Sequence, residues 1–361
     1  MADSEQVNVL LYGLGAIGSF YAFILHRCDR VKLTVVARSN YDAVVKNVPL
    51  FYSTALQRIP INESQGITID SKNHGKHTFR PDRVDALQHP QKARANTDVR
   101  AVLRTPSESS SHYDYIVCAH KAIDPHGAIL PLDPAISEKS TIVILQNGVG
   151  NEDPFRERWA GVTIISGVVW VGASQPSPGV VVHTGSEHTE LGLFANGTLD
   201  RALEESRLNA FASLLTAGGT HLSVFEDIQP RRWEKVIWNV AWNAITTLTD
   251  QDVNCWLASS PDAIPYTRRL MGEVIAVARA CGVHVKDGLA DGLIAKARGL
   301  GELRTSMQAD REAGREMEIE VILGVPVKRG RELGVDTPCL EGLYVLLRAV
   351  NGRIQRAEGG K

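Results

Sequence analysis

The chain has 361 residues, with 39 Lys and Arg against 41 Asp and Glu for a formal charge of −2, and 43% of its residues are hydrophobic and 22% charged. At about 100 to 200 residues per domain, that length predicts two globular domains. A balance this close to neutral, without a block of Lys or Arg, excludes the positive field of a nucleic-acid binder and the anchor of an anionic-membrane protein.

The five cysteines, Cys28, Cys118, Cys255, Cys281 and Cys339, are widely scattered with no C-x-x-C pair, and they read as free thiols. The opening residues are polar, no apolar run approaches the roughly 18 residues that span a bilayer, and the last residues match no address signal. A cytoplasmic protein is the expectation.

The first element is a short apolar run, Val7 to Tyr12, of the length of a buried parallel strand. It ends in Gly13-Leu14-Gly15-Ala16-Ile17-Gly18, after which Phe20 to Cys28 can continue as a helix and Lys32 to Ala37 as a second strand. In a βαβ unit each glycine has a physical role: Gly13 for the tight turn, Gly15 for the approach of backbone to a pyrophosphate, Gly18 for close helix packing. The helix N-terminus would offer N–H groups and a positive dipole end to the phosphates. A tight strand-to-helix turn explains the glycines alone, and a methyltransferase-type nucleotide site is the competing functional reading. The order of strand, helix and strand favours a dinucleotide.

A site for NAD places an acid about 20 residues beyond the glycines, whereas a site for NADP places a cation there for the 2′-phosphate. Here Arg38 is followed by Ser39 and Asn40, which favours NADPH. Further on, Gly66 to Ser71 and His77 to Arg80 look like a hairpin, and residues 88 to 112 read as a polar surface excursion.

Order returns at Tyr113 to Ala119, a strand ending in His120-Lys121-Ala122, and at Thr141 to Leu145, a strand ending in Gln146-Asn147-Gly148. Polar residues at carboxyl ends of parallel strands mark the ligand edge of an open α/β sheet. Lys121 as a solvated charge and Asn147-Gly148 as a simple turn are each an equally open reading alone, but together, following two separate apolar strands, they favour a cleft. Residues 162 to 195 alternate strands and turns and are expected to close the sheet with antiparallel additions. His183 lies among them and reads as structural, having no carboxylate or nucleophile spaced beside it.

From Leu199 the periodicity becomes helical, placing a boundary near 195 to 200, with domains at 1–197 and 198–361. Arg231 to Leu248 reads as a buried helix, apolar almost all round. Lys235, Asn239 and Asn243 at i, i+4 and i+8 draw one polar stripe along it. A buried Lys costs several kcal/mol without a partner, and each Asn amide needs satisfying, so a substrate-facing stripe is favoured over a hydrogen-bond ladder. Further on, Thr305 with Gln308 makes a capping-box signal before a helix taken to include Glu318, which sets Ser306 at a helix N-terminus suited to a carboxylate. Capping alone also explains Thr305 and Ser306, and a solvated acid also explains Glu318.

Taken in order, Gly13 to Ser19, His120-Lys121-Ala122, Gln146-Asn147-Gly148, Val171-Gly172-Ala173 with Pro178-Gly179, the Lys235/Asn239/Asn243 stripe, and Thr305-Ser306-Met307 through Glu318 resemble the ketopantoate reductase (2-dehydropantoate 2-reductase) family over about residues 7 to 350. The resemblance implies an α/β fold: an N-terminal Rossmann-type domain followed by an all-helical C-terminal domain of the 6-phosphogluconate dehydrogenase C-terminal-like type, with NADPH in the cleft between them. It implies Lys235 as the catalytic lysine, and Asn239, Asn243, Ser306 and Glu318 as substrate residues. Gly13, Leu14, Gly15, Ala16, Ile17, Gly18, Arg38, Lys121, Asn147, Ala173 and Glu318 are implied as cofactor residues.

The chain departs from the family where a further substrate asparagine is expected: Val253 stands at that spacing and Asn254 one later. The first expectation is therefore an oxidoreductase of pantothenate biosynthesis that reduces ketopantoate with NADPH, with no metal, no nucleic-acid or membrane partner, and a possible homodimer. The alternatives are a reductase of another branched 2-oxo acid, such as 2-ketoisovalerate, and a non-catalytic NADP(H)-binding sensor.

Overall fold

The computed structural model describes residues 6–37, 40, 44, 66–86 and 112–359. Arg38 and the excursion at 88 to 112, apart from His112, lie outside the described residues.

The chain opens with β1 (Val7–Tyr12), α1 (Ala16–His26) and β2 (Val31–Ala37), then a hairpin of β3 (Ile67–Ser71) and β4 (Gly75–Phe79), and β5 (Arg83–Ala86). There follow β6 (Tyr115–Cys118), β7 (Thr141–Ile144), α2 (Glu152–Arg158) and β8 (Thr163–Val169). The strands end with β9 (Ala173–Ser177), β10 (Val180–His183), β11 (Thr189–Leu193) and, beyond helix α3 (Arg201–Ala217), β12 (Leu222–Phe225).

The larger sheet runs β12-β11-β8-β7-β6-β1-β2-β5. From β5 to β8 every pair is parallel, in the doubly wound order in which β1 pairs with both β2 and β6. Burial follows from that placement. Val9 and Leu11 join the core on one face with Phe20, Ile24 and Leu25 of α1, and Leu10 and Tyr12 join the core on the other with Ile116, Ile142 and Phe155. A strand covered on both faces has no polar side to show, so its sequence reads as an unbroken apolar run.

Residues 162 to 195 do not all extend this sheet. β8 is parallel to β7, and only β11 adds antiparallel to β8. β9 and β10 instead join the hairpin in a second sheet, β4-β3-β10-β9, where β10 runs parallel to β3. α1 packs between the two sheets, because Phe20, Phe23 and Ile24 share one core with Val9 and Leu33 on one side and Ile67, Ile69 and Val181 on the other. His183 is structural: it is buried, its Nδ1 stands 2.8 Å from the Ser71 hydroxyl and its Nε2 lies 3.1 Å from the Ser186 carbonyl.

The helical part contains α4 (Gln229–Thr249), α5 (Val253–Ala258), α6 (Ala263–Ala280), α7 (Leu289–Gly299), α8 (Ser306–Glu312), α9 (Val325–Leu333) and α10 (Pro338–Gly359). Val236, Val240 and Ile245 of α4 share its core with Leu270 and Val274 of α6 and with Leu340 and Leu347 of α10. Each such fully buried side chain contributes roughly 1.5–3 kcal/mol. Asp252 caps α5 by accepting from the backbone N–H groups of Asn254 and Cys255, worth about 1 kcal/mol.

Contacts divide the chain into two compact units. The sheet unit holds residues 1–121, 126–146 and 152–228, and the helical unit holds 122–125, 147–151 and 229–361. The periodicity change at 195 to 200 thus precedes the division at 228. α3 is helical, but its Leu208, Phe211 and Leu215 bury in the sheet unit's core, and β12 pairs with β11. No described helix is long and apolar enough to cross a membrane.

Candidate active site

In the sheet unit, the turn between β1 and α1 is shaped by what its glycines lack. Gly13 has φ of +102°, and a Cβ there would strike the backbone of His120. A Cβ on Gly18 would strike the carbonyl oxygen of Gly13, whereas a Cβ on Gly15 would meet nothing within 4 Å. The turn is therefore closed on its inner side and open at Gly15. α1 begins there with no side-chain cap and no acid in its first turn. An uncapped N-terminus at an open glycine suits an anionic diphosphate, because its first N–H groups have no acceptor within the helix. Leu14 is buried, with Ala16 and Ile17 half-buried behind the opening.

Two residues that sequence reasoning did not single out support this turn. The buried Asn40 donates from Nδ2 to the Leu14 carbonyl and, at 3.0 Å, to Oε1 of Gln175 on β9. Position was the only available signal, since Asn40 follows the expected cation Arg38. Elsewhere in the unit, Gln146 donates from Nε2 to the His120 carbonyl at 2.8 Å, tying together the chain after β6 and β7. Lys121 is exposed beyond β6, and Ala173 is half-buried, paired with His183.

In the helical unit, α4 carries the expected stripe. Lys235 is half-buried, while Asn239 and Asn243 are 7% and 4% exposed. At 1.5 Å per residue the stripe is about 12 Å long. No hydrogen bond of the Asn239 or Asn243 side-chain amide is found among the described residues. The hydrogen-bond ladder that could have explained both amides is not seen there.

One turn beyond the stripe, the Thr246 hydroxyl meets the Thr305 hydroxyl at 2.8 Å, and the Thr305 hydroxyl accepts from the backbone N–H of Gln308 as the cap of α8. This bond fastens the start of α8 to α4 and leaves Ser306 exposed at the first helical position. Thr246 was not distinguishable in the sequence from other helix threonines.

Glu318 is not on the helix that Thr305 caps. That helix stops at Glu312, where Gly314 turns the chain at φ +64°, and Glu318 precedes a separate helical stretch through the π-turn Glu320–Gly324. From there Oε1 accepts the Ala122 backbone N–H at 3.0 Å, and Oε2 lies 3.5 Å from the Asn147 amide nitrogen. Glu318, Asn147 and Ala122 are thus gathered in the helical unit, although they come from three distant stretches of sequence. Arg232 of α4 reaches the same place, donating from Nη2 to the Gly148 carbonyl at 2.9 Å. Among the described residues no cluster of three or more His, Cys, Asp or Glu could hold a metal ion.

Comparison with known proteins adds to this geometry. Residues 9–196 match the family model described as ketopantoate reductase PanE/ApbA, and residues 227–351 match that of the ketopantoate reductase PanE/ApbA C terminal. A 2-dehydropantoate 2-reductase of Nostoc sp. is 28% identical over 246 residues, 66% of this chain and 75% of that protein. The crystal structure of 2-dehydropantoate 2-reductase from Methylococcus capsulatus is 27% identical with a TM-score of 0.76, covering 96% of this chain and 98% of that one. The ternary structure of D-mandelate dehydrogenase with NADH and anilino(oxo)acetate shares the fold, with a TM-score of 0.75 over 97% of this chain and 100% of that one at 18% identity.

Proposed function

The chain belongs to the ketopantoate reductase PanE/ApbA family, oxidoreductases that act on 2-oxo acids, and we propose that it reduces ketopantoate to pantoate with NADPH. The observation that carries this reading is the pair of buried amides on α4, Asn239 and Asn243, one and two turns beyond Lys235 and without a hydrogen-bond partner among the described residues. An amide on a largely buried helix face that makes no hydrogen bond there keeps its donors and its acceptor for a polar ligand.

Bound NADPH supplies the hydride for the carbonyl carbon of the acid. The residues of the chain do the rest. The Lys235 ammonium faces the carbonyl oxygen, stabilises the negative charge that builds there and delivers the proton as general acid. Asn239 and Asn243 orient the hydroxyl and carbonyl groups, and Ser306 takes the carboxylate together with the N–H groups beside it. Glu318 serves both substrate and cofactor. For the cofactor, the turn from Gly13 to Gly18 holds the pyrophosphate, Arg38 the 2′-phosphate, and Lys121, Asn147 and Ala173 its remaining contacts. The open face at Gly15 and the uncapped start of α1 support this assignment.

One observation favours a second reading, in which another branched 2-oxo acid such as 2-ketoisovalerate is the substrate. Val253 is fully buried, and the neighbouring Asn254 amide donates to the Gly301 carbonyl at 2.6 Å. The further asparagine of the family therefore has no substitute at this point.

Following NADPH oxidation by the purified protein with a panel of 2-oxo acids tests both readings. Ketopantoate giving the highest kcat/KM supports the first, and a different branched acid giving it supports the second. Tight NADPH binding with no oxidation of any acid overturns both in favour of a sensor.

A further inference from the structure

We propose that Arg232 is a positioning residue of this site: it locks the Asn147–Val149 loop to the helix of Lys235, and so fixes where the Asn147 amide and the Glu318 carboxylate stand. The inference rests on the proposed function and names a further residue serving that same site.

Arg232 is only 2% exposed, among the largest buried side chains of the molecule. A guanidinium removed from water costs several kcal/mol unless its donors are engaged, so an uncharged side chain would serve better if packing were its only role. Its Nη2 donates to the Gly148 carbonyl at 2.9 Å in a buried bond. The backbone there is held at successive residues. Asn151 donates from Nδ2 to the Asn147 carbonyl at 2.7 Å, Arg232 holds the Gly148 carbonyl, and the Val149 N–H donates to the Val321 carbonyl at 3.1 Å.

Gly148 itself sits at φ +99°, and a Cβ on it would stand 2.6 Å from the Cβ of Val321, so the loop passes close against the helix that follows Glu318. With its backbone fixed in this way, the loop presents the Asn147 amide 3.5 Å from Glu318, whose other oxygen holds the Ala122 N–H. Arg232 is one turn ahead of Lys235 on α4. The buried bond from Nη2 to the Gly148 carbonyl ties the loop to the helix bearing the general acid, so the loop takes its position from that helix.

The test uses the full chain with Arg232→Met, Arg232→Lys, Asn147→Ala and the double variants. NADPH affinity is measured by fluorescence titration without the 2-oxo acid, followed by kcat and KM. Arg232→Met is expected to weaken NADPH binding about tenfold with the KM of the acid moving less than about twofold, as for loss of a buried hydrogen bond from a charged group. Arg232→Lys should recover most of the loss. Arg232→Met with Asn147→Ala should bind NADPH no worse than the weaker single variant, because the arginine acts through the asparagine.

Unchanged affinity in Arg232→Met, or losses that multiply in the double variant, would reduce Arg232 to a packing residue and overturn the proposal. Should Arg232→Met not fold, the same cycle with Arg232→Gln, whose side chain is polar but too short to reach the Gly148 carbonyl, decides between these outcomes. Normal NADPH binding by the unaltered protein with an unmoved Arg232 variant overturns this inference alone. No NADPH binding by the unaltered protein overturns the functional reading together with it.

Discussion

The glycine turn of the sheet unit and the α4 stripe of the helical unit are built by opposite means. At Gly13, Gly15 and Gly18 the site is made of backbone, and side chains are excluded either by collision or to leave the approach open. At Lys235, Asn239 and Asn243 it is made of polar side chains on a helix whose other buried side chains are mostly apolar. The first kind binds through geometry and is damaged by adding atoms. The second binds through chemistry and is damaged by removing them.

The sharpest break of that contrast is Lys235→Ala, which should lower turnover about 100- to 1,000-fold while NADPH affinity is retained. Turnover within a few-fold of the parent would take Lys235 out of the chemistry. Next comes Gly18→Val, expected to cost about 2–4 kcal/mol in denaturant unfolding, because its side chain would meet the Gly13 carbonyl. Gly15→Ala is its control: with open space around the Cβ, it should leave the unfolding midpoint in place and weaken only NADPH binding.

Asn239→Ala should raise the KM of the 2-oxo acid about tenfold with an unchanged melting temperature, since no hydrogen bond of its amide is found among the described residues. A fall in melting temperature equal to that of an ordinary buried hydrogen-bond deletion would show that the amide is structural. An effect of the same size is that of Arg38→Ala, expected to raise KM for NADPH by about tenfold and KM for NADH hardly at all, as a phosphate-specific ion pair requires. Equal changes for both cofactors would contradict the assignment.

Both kinds of site left a trace in the sequence, but not in equal measure. The glycine turn was legible because its spacing falls between two apolar runs, and β1, α1 and β2 follow that order. The stripe was legible because an i, i+4 repeat of Lys and Asn contradicts its apolar surroundings. The capping role of Thr305 was also readable, being local, but the end of that helix at Glu312 was not.

What escaped depends on partners far along the chain. β5 and β12 are four residues each and owe their pairing to β2 and β11. β9 and β10 resemble additions to the main sheet until β3 pairs with β10, more than a hundred residues away. Nothing in the sequence set Arg232 apart at the start of its helix, since the acceptor it meets lies in a loop 84 residues earlier.

The short returns 122–125 and 147–151, which follow β6 and β7 but belong with the helices, bear on modularity. A single cut at residue 228 would leave the helical fragment without Gly148, the acceptor of its own buried arginine, and without both groups that Glu318 faces. The sheet fragment would keep these loops with nothing of their own unit to fold against. The two units are therefore ill suited to exchange by recombination or to expression as halves, and inheritance of the chain as one piece follows from its threading.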